Sequence, residues 1–417
     1  MTSIACGVDF GTSNSTVGWS RPDQTALLAL EDGKPTLPSA IFFHDDDDLI
    51  SYGRAALADY LADYEGRLMR SMKSLLGSAQ IDGHTEVRGR QLPFRTLLTQ
   101  YIAELKRRGE QAAGRRFEHA VIGRPVFFVD ENPEADRLAQ DTLADIAHSV
   151  GFEHVEFQYE PLAAAFAYEA GISREALVLV VDVGGGTSDF SLVRLGPQRV
   201  LRPDRRDDIL ASGGVHIGGT DFDKLLSLAC VMPEFGLGSL LKSGKLVPSA
   251  QYFNLACWHT INNAYTRKAW SQLVDVRNEA VERDRLDLLL SMIEQRAGHW
   301  LAMQVESAKI TLSQADAASV DLARILPEKQ IAVARDEFDA AIDRQIGRIE
   351  TTIGELLRQA GVAAGDVDTV FFTGGSSRVP LLRERVAALA PGASSVEGDL
   401  FGSIGTGLAM DAARKFG

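Results

Sequence analysis

Cysteine is nearly absent: Cys6, Cys230 and Cys257 are the only three in 417 residues, and they lie far apart. An odd count without a metal-ligand or dithiol spacing excludes a disulfide framework. It points to a reducing, cytoplasmic compartment, with small buried side chains expected at all three positions. Long apolar runs are missing as well. The purely apolar stretches are as short as residues 176–181, whereas a helix needs roughly 20 such residues to cross a bilayer. Met1-Thr2-Ser3-Ile4 brings neither a basic stretch nor a long apolar one, so no signal peptide is expected. Positive charge is in deficit. Lys and Arg number 43 against 57 Asp and Glu, a net charge of −14, which argues against general nucleic-acid binding and against anionic membrane surfaces. No low-complexity segment or short repeat array occurs. What remains is a soluble, globular composition, 45% hydrophobic and 24% charged, in a chain long enough for two lobes.

Two stretches share one design. Gly7-Val8-Asp9-Phe10-Gly11-Thr12-Ser13-Asn14 and Val181-Asp182-Val183-Gly184-Gly185-Gly186-Thr187-Ser188 each run an apolar strand into an Asp, then a Gly and hydroxyl turn, then a second strand. Such spacings read as hairpins. Glycine lets a ligand approach the backbone, and successive turn N–H groups can form an anion-binding concavity. An Asp beside that concavity would repel a bare phosphate. A cation between them resolves the conflict, and Mg²⁺, which keeps its waters and takes few protein ligands, suits two aspartates acting through its water shell. Two such turns in one chain suggest two facing lobes with phosphates between them.

Along the chain, residues 25–30 and 40–43 read as further strands of the first sheet, and residues 55–76 read as helical, with Lys73 near the end. Residues 120–128 form a strand running into Pro125. A helix is expected from Asn132 and Pro133 to Gly151, then a short strand to Gln158, then a helix opening at Glu160-Pro161 with proline in its first turn. Glu160 at that N-terminus is favoured as an anion. Ser212-Gly213-Gly214-Val215-His216-Ile217-Gly218-Gly219-Thr220-Asp221 reads as a Gly-rich turn entering a helix at Asp221, a suitable phosphate seat. Residues 225–345 read as mainly helical, with the aromatics Tyr252, Trp258, Trp270 and Trp300 in their core. Ile342, Ile346, Ile349, Ile353 and Leu356 step as one face of an amphipathic helix. Val370-Phe371-Phe372-Thr373-Gly374-Gly375 is a buried strand breaking into a turn, with Arg378 just beyond.

In this order, these blocks resemble the actin-like ATPase superfamily. Within it, they resemble the nucleotide-binding domain of the 70-kDa heat-shock chaperones of the DnaK type, and small YegD-like bacterial homologues share the Ile-Gly-Arg-Pro strand and the Gln-Tyr-Glu-Pro block. The resemblance covers essentially the whole chain. It implies an α/β, actin-like ATPase fold of two lobes. Each lobe would carry a mixed five-stranded, ribonuclease-H-like sheet and an outer subdomain, with nucleotide in the central cleft. Lobe I would comprise residues 1–173 and 396–417 (outer subdomain about 39–116), and lobe II residues 174–395 (outer helical subdomain about 225–345).

The resemblance also implies roles. Asp9 and Asp182 would orient Mg²⁺ through water. Gly11, Thr12, Ser13 and Asn14, with Gly184, Gly185, Gly186 and Thr187, would cradle the phosphates of ATP or ADP. Lys73 would reach the γ-phosphate, and Glu160 would orient or deprotonate the attacking water, close to Thr187. Gly218 and Gly219 would approach the phosphates. Glu306 and Lys309 would bracket ribose and base, Gly374, Gly375, Ser376 and Arg378 the adenine, and Asp399 would close the pocket. Pro125 resembles the family's switch proline, with Arg137 as its partner.

Three departures from the family pattern stand out. Ile310 replaces an arginine that stacks on adenine, a loss of roughly 1 kcal/mol. The stretch from Asp223 to Glu306 is enlarged, and that between Lys73 and Val121 is shortened. Neither an apolar linker nor a peptide-gripping β-sandwich is expected, so a chaperone-like role would run through an unidentified protein partner or client, with the chain a monomer. The leading expectation is slow Mg²⁺-dependent ATP hydrolysis. The alternatives are a non-hydrolysing nucleotide-binding regulator, a small-molecule kinase and a filament former.

Overall fold

A computed structural model describes residues 4–22, 24–46, 48–62, 64–78, 80–129, 132–199, 202, 206–399 and 402–417. The chain divides into two compact units: Met1–Gly219 with Arg348–Arg378 and Leu382–Gly417, and Thr220–Gly347 with Val379–Leu381.

The larger unit holds two five-stranded sheets of the same topology. In the first, the strands lie in the order His154–Tyr159, His119–Arg124, Ala5–Phe10, Asn14–Gly18, Thr36–Pro38. In the second the order is Ser394–Glu397, Thr369–Thr373, Ala176–Val183, Ser188–Leu195, Ile209–Val215. In both sheets the first three strands run parallel and the last two pair antiparallel. The middle strands are apolar without alternation, as strands covered on both faces must be. Val178, Leu179, Val180 and Val181 are all fully buried.

Glycines let helices settle directly on this framework. Helix Ser403–Phe416 packs on strand Ala5–Phe10 and on helix Glu160–Glu169. A Cβ on Gly407 would fall 1.7 Å from the Ala163 carbonyl oxygen, and one on Gly7 2.4 Å from the Ala409 nitrogen. Only glycine permits so close an approach. Helix Pro133–Ser149 begins as its sequence dictates: the Asn132 side chain accepts the Ala135 N–H and Pro133 stands in the first turn. Helix Arg335–Gln359 buries Ile342, Ile346, Ile349, Ile353 and Leu356 along one face.

Several local expectations are corrected. Residues 25–30 form no strand beyond a single bridge from Leu27 to Gly18. Strand Ala40–His44 belongs to a separate three-stranded sheet with Ile50–Tyr52 and Gly66–Arg70. Residues 55–76 are not one helix: helix Gly53–Leu61 gives way to strand Gly66–Arg70 and a 3-10 turn, Met72–Leu75, that carries Lys73. Residues 209–215 are an edge strand rather than a turn, so Gly213 and Gly214 are strand residues.

The smaller unit is mainly helical, with helices Ala250–Leu255, Arg267–Glu279, Arg283–Glu294 and Gly298–Leu312, plus one hairpin, Ala317–Asp321 with Gln330–Ala334. Tyr252, Trp258 and Trp300 are buried in it, and Trp270 is half-buried. Cys6 is buried, and Cys230 and Cys257 are half-buried free thiols. Among the described residues, no helix is long and apolar enough to cross a membrane.

Candidate functional site

Four carboxylates and one ammonium converge in the larger unit. Asp9 sits near the end of strand Ala5–Phe10 and Asp182 near the end of Ala176–Val183, and both are buried. Lys73 comes from the 3-10 turn and Glu160 from the first residue of helix Glu160–Glu169. The Lys73 ammonium donates to Glu160 Oε1 in a buried ion pair. Gly123 makes room for it: a Cβ there would lie 3.1 Å from the Glu160 Cγ.

The electrostatics follow from crowding four acids around one base in a low dielectric. Burial, then the Glu160 charge, push Asp9 up to about 7 against the pull of Lys73. Burial and the charges of Glu160, Asp189 and Asp9 hold Asp182 well above the usual carboxylate range. Burial opposes the Lys73 ammonium, yet Glu160 and Asp9 outweigh it and raise its pKa. Asp182 Oδ1 and Asp189 Oδ2 are buried without a hydrogen-bond partner. Buried acceptor oxygens of this kind carry a desolvation cost until a donor or cation meets them. This donor set fits a hard divalent cation with its waters. Among the described residues no three His, Cys, Asp or Glu side chains close on one point as direct metal ligands.

Asp189 is the member that sequence reasoning missed. It lies opposite Asp182 across the hairpin and opposite Gly214 on its other side. Two aspartates facing each other on one sheet face repel, and an acid directly before the apolar Phe190 in strand Ser188–Leu195 was the available signal. Burial and Glu160 push Asp189 up to about 7, partly offset by hydrogen bonds from Thr187 and from the Val126 N–H.

The glycine turns meet beside these acids. A Cβ on Gly185 would fall 2.6 Å from Ser13 Oγ and 3.0 Å from Thr12 Cβ, and one on Gly186 3.1 Å from Thr12 Oγ1. A Cβ on Gly218 would fall 2.6 Å from the Gly186 nitrogen, and the Gly219 N–H donates to the Gly184 carbonyl at 2.9 Å. The Gly184 N–H closes its own turn on the Thr187 carbonyl at 3.0 Å. A Cβ on Gly11 would lie 2.1 Å from the Asn14 carbonyl oxygen. Gly374 has φ +79° and backs onto Asp182, where a Cβ would stand 2.4 Å from Oδ1. The backbone of three turns and the acids therefore occupy one locality.

The other expected residues lie as follows. Gly375–Arg378 is a 3-10 turn in which Ser376 is buried, and the Arg378 guanidinium is paired with Glu397 at 2.7 Å. Arg383 shares the same carboxylate at 2.6 Å and donates to the Ser377 carbonyl at 2.8 Å. The Asp399 carbonyl accepts the Ser403 N–H at 3.0 Å, at the start of the last helix. Arg137 is exposed and the Pro125 turn is bonded to Arg124 instead. Glu306 and Lys309 lie in the smaller unit on helix Gly298–Leu312. Lys309 is buried there on Asp223 at 2.8 Å, and Ile310 is 56% exposed.

The family model described as Hsp70 protein matches residues 5–97, 83–236 and 275–412. Among curated proteins the chain is similar to the chaperone protein HscA of Citrobacter koseri and of Pectobacterium atrosepticum, each 27% identical over 98% of this chain and 58% of the relative. HscA of an Escherichia coli strain is 26% identical over the same shares. The chain thus spans 58% of the length of these curated relatives.

Proposed function

We propose, from the premise that this chain belongs to the Hsp70 protein family, that it binds ATP and ADP with Mg²⁺ and hydrolyses ATP slowly. The family carries the actin-like ATPase fold, and the paired sheets of identical topology agree with it. The single observation that carries the reading is the buried cluster of Asp9, Asp182, Asp189 and Glu160 around one ammonium, set beside three converging glycine turns. Asp9 and Asp182 would hold the ion through its water shell, and the ion would neutralise phosphate charge. Thr12, Ser13, Gly184, Gly185, Gly186 and Gly218 would offer backbone and hydroxyl donors to the phosphates. Lys73 would release Glu160 and turn to a phosphate oxygen, freeing the Glu160 carboxylate to accept a proton from water. The protein partner or client, a monomeric state and a cytoplasmic setting belong to the same proposal. The partner is supported by the relatives' description as chaperones, and the cytoplasmic setting by three free thiols.

The test is single-turnover ATP hydrolysis on wild type and Glu160→Gln, beside calorimetric ADP binding. Glu160→Gln should keep ADP affinity and slow hydrolysis by about 10²- to 10⁴-fold. The Lys73–Glu160 ion pair also favours a second reading, a non-hydrolysing regulator in which Glu160 only anchors Lys73. ADP binding with no turnover above background in either protein would select that reading.

A further inference from the structure

The strand His119–Arg124 leads straight from the candidate site into a tightly held turn. The Val126 N–H donates to Asp189 Oδ1, so a backbone donor reaches the carboxylate cluster. That turn is gripped by the side chain that precedes it. Arg124 Nε donates to the Pro125 carbonyl at 3.0 Å, and Nη2 to the Val126 carbonyl at 3.1 Å. The same guanidinium meets both Asp136 oxygens, at 2.7 and 3.0 Å, and donates to Gln140 Oε1. Asp136 Oδ1 in turn accepts the Phe128 N–H at 2.6 Å. The guanidinium lies over the Phe128 and Tyr159 rings, at 5.2 and 5.4 Å, and Arg124 is only 8% exposed.

Pro125 offers no N–H. Its carbonyl, the Val126 carbonyl and the Phe128 N–H are all fixed by the Arg124–Asp136 unit. The Val126 N–H is thereby left aimed at Asp189. A plain packing role needs none of this convergence, since one bond from Arg124 to Asp136 would satisfy the charge.

We propose that Arg124 is a positioning residue of the site: through the Pro125–Val126 turn it holds a backbone donor on Asp189 and so fixes the carboxylate cluster that meets the Mg²⁺-nucleotide. This rests on the function proposed above. Only a planar fork can grip two carbonyls and a carboxylate at once, so lysine can replace it in part but not in full.

The experiment compares wild type, Arg124→Ala, Arg124→Lys, Asp189→Ala and the Arg124→Ala/Asp189→Ala double variant. Calorimetric Mg·ADP binding, single-turnover ATP hydrolysis and amide hydrogen exchange over residues 126–128 are read on each. Arg124→Ala should slow hydrolysis by at least about 10-fold while ADP affinity changes less than about threefold. Arg124→Lys should recover part of the rate. The double variant should be no slower than Asp189→Ala, because both changes break one link. Exchange over residues 126–128 should quicken in Arg124→Ala and in Asp189→Ala alike. If Arg124→Ala does not fold, Asp136→Asn, which keeps an acceptor for the Phe128 N–H, should show the same split of rate from affinity. Folded variants with wild-type hydrolysis, or defects that add in the double variant, overturn the proposal. If the wild-type protein itself binds no Mg·ADP, the proposed function fails. The exchange arm then decides the positioning claim alone, and unchanged exchange in Asp189→Ala refutes it.

Discussion

Asp9→Asn should make the protein more stable in the absence of nucleotide, and only at higher pH. Asp9 is buried beside Glu160, and its pKa is pushed from 3.8 to about 7. An acid with a raised folded-state pKa holds its proton more tightly when folded. Between about 3.8 and 7 the folded state therefore binds more protons than the unfolded chain, and stability falls as pH rises through that window. At about 1.4 kcal/mol per pH unit the fall amounts to roughly 4 kcal/mol, complete above about pH 7. Asparagine carries no charge and escapes this loss, although its buried amide costs about 1 to 2 kcal/mol if poorly paired. Urea unfolding should show near-equal stability, or a slight deficit for the variant, at about pH 4. It should show a gain of about 2 to 4 kcal/mol at about pH 8. Adding Mg·ADP, which the variant should bind weakly, should offset about 2.7 kcal/mol of that gain at 100 times the wild-type Kd and about 4.1 kcal/mol at 1,000 times. A variant less stable than wild type at high pH, or a difference that does not change with pH, would refute the argument from crowded carboxylates.

Other outcomes are as definite. Gly374→Ala places a Cβ 2.4 Å from Asp182 Oδ1 at a backbone φ of +79°; it should cost at least about 1 kcal/mol in urea unfolding and weaken Mg·ADP binding more than about 10-fold by calorimetry. Gly407→Ala drives a methyl to 1.7 Å from the Ala163 carbonyl oxygen between two packed helices; it should destabilise by about 3 kcal/mol or more, read as a fall in the urea midpoint without a change in slope.

The site was legible wherever chemistry and backbone demand coincide. Asp9 and Asp182 stand before glycine turns that no other sequence explains well, and Glu160-Pro161 marks a helix start by its own capping preference. Residues 342–356 declare their helix by period alone. The failures share a cause, which is that tertiary contacts decide what local pattern leaves open. Residues 55–76 look helical, but Gly66 lies where a Cβ would stand 2.1 Å from the Phe43 carbonyl oxygen, so the chain there is drawn into a sheet. Gly213 and Gly214 look like a turn. They are strand residues, paired opposite Phe190 and Asp189, and a Cβ on Gly214 would lie 3.0 Å from Asp189 Oδ1. Ala40–His44 is buried along its whole length, and without alternation its sequence does not say which sheet it joins. Asp189 hid because the motif around it was read as a loop donor set, whereas its register opposite Asp182 makes it part of the cluster. Arg124 hid because an arginine beside a proline has no local signature; its meaning lies in Asp136 and Asp189, distant in sequence.

The central claim is that buried carboxylates and glycine turns together form a cation-dependent nucleotide site. Calorimetric titration of ADP into the wild-type protein, once with Mg²⁺ and once with a chelator, tests it most directly. The account predicts saturable one-to-one binding with Mg²⁺ and a loss of affinity of at least about 10-fold without it. Binding of equal strength in both conditions, or none in either, would contradict it.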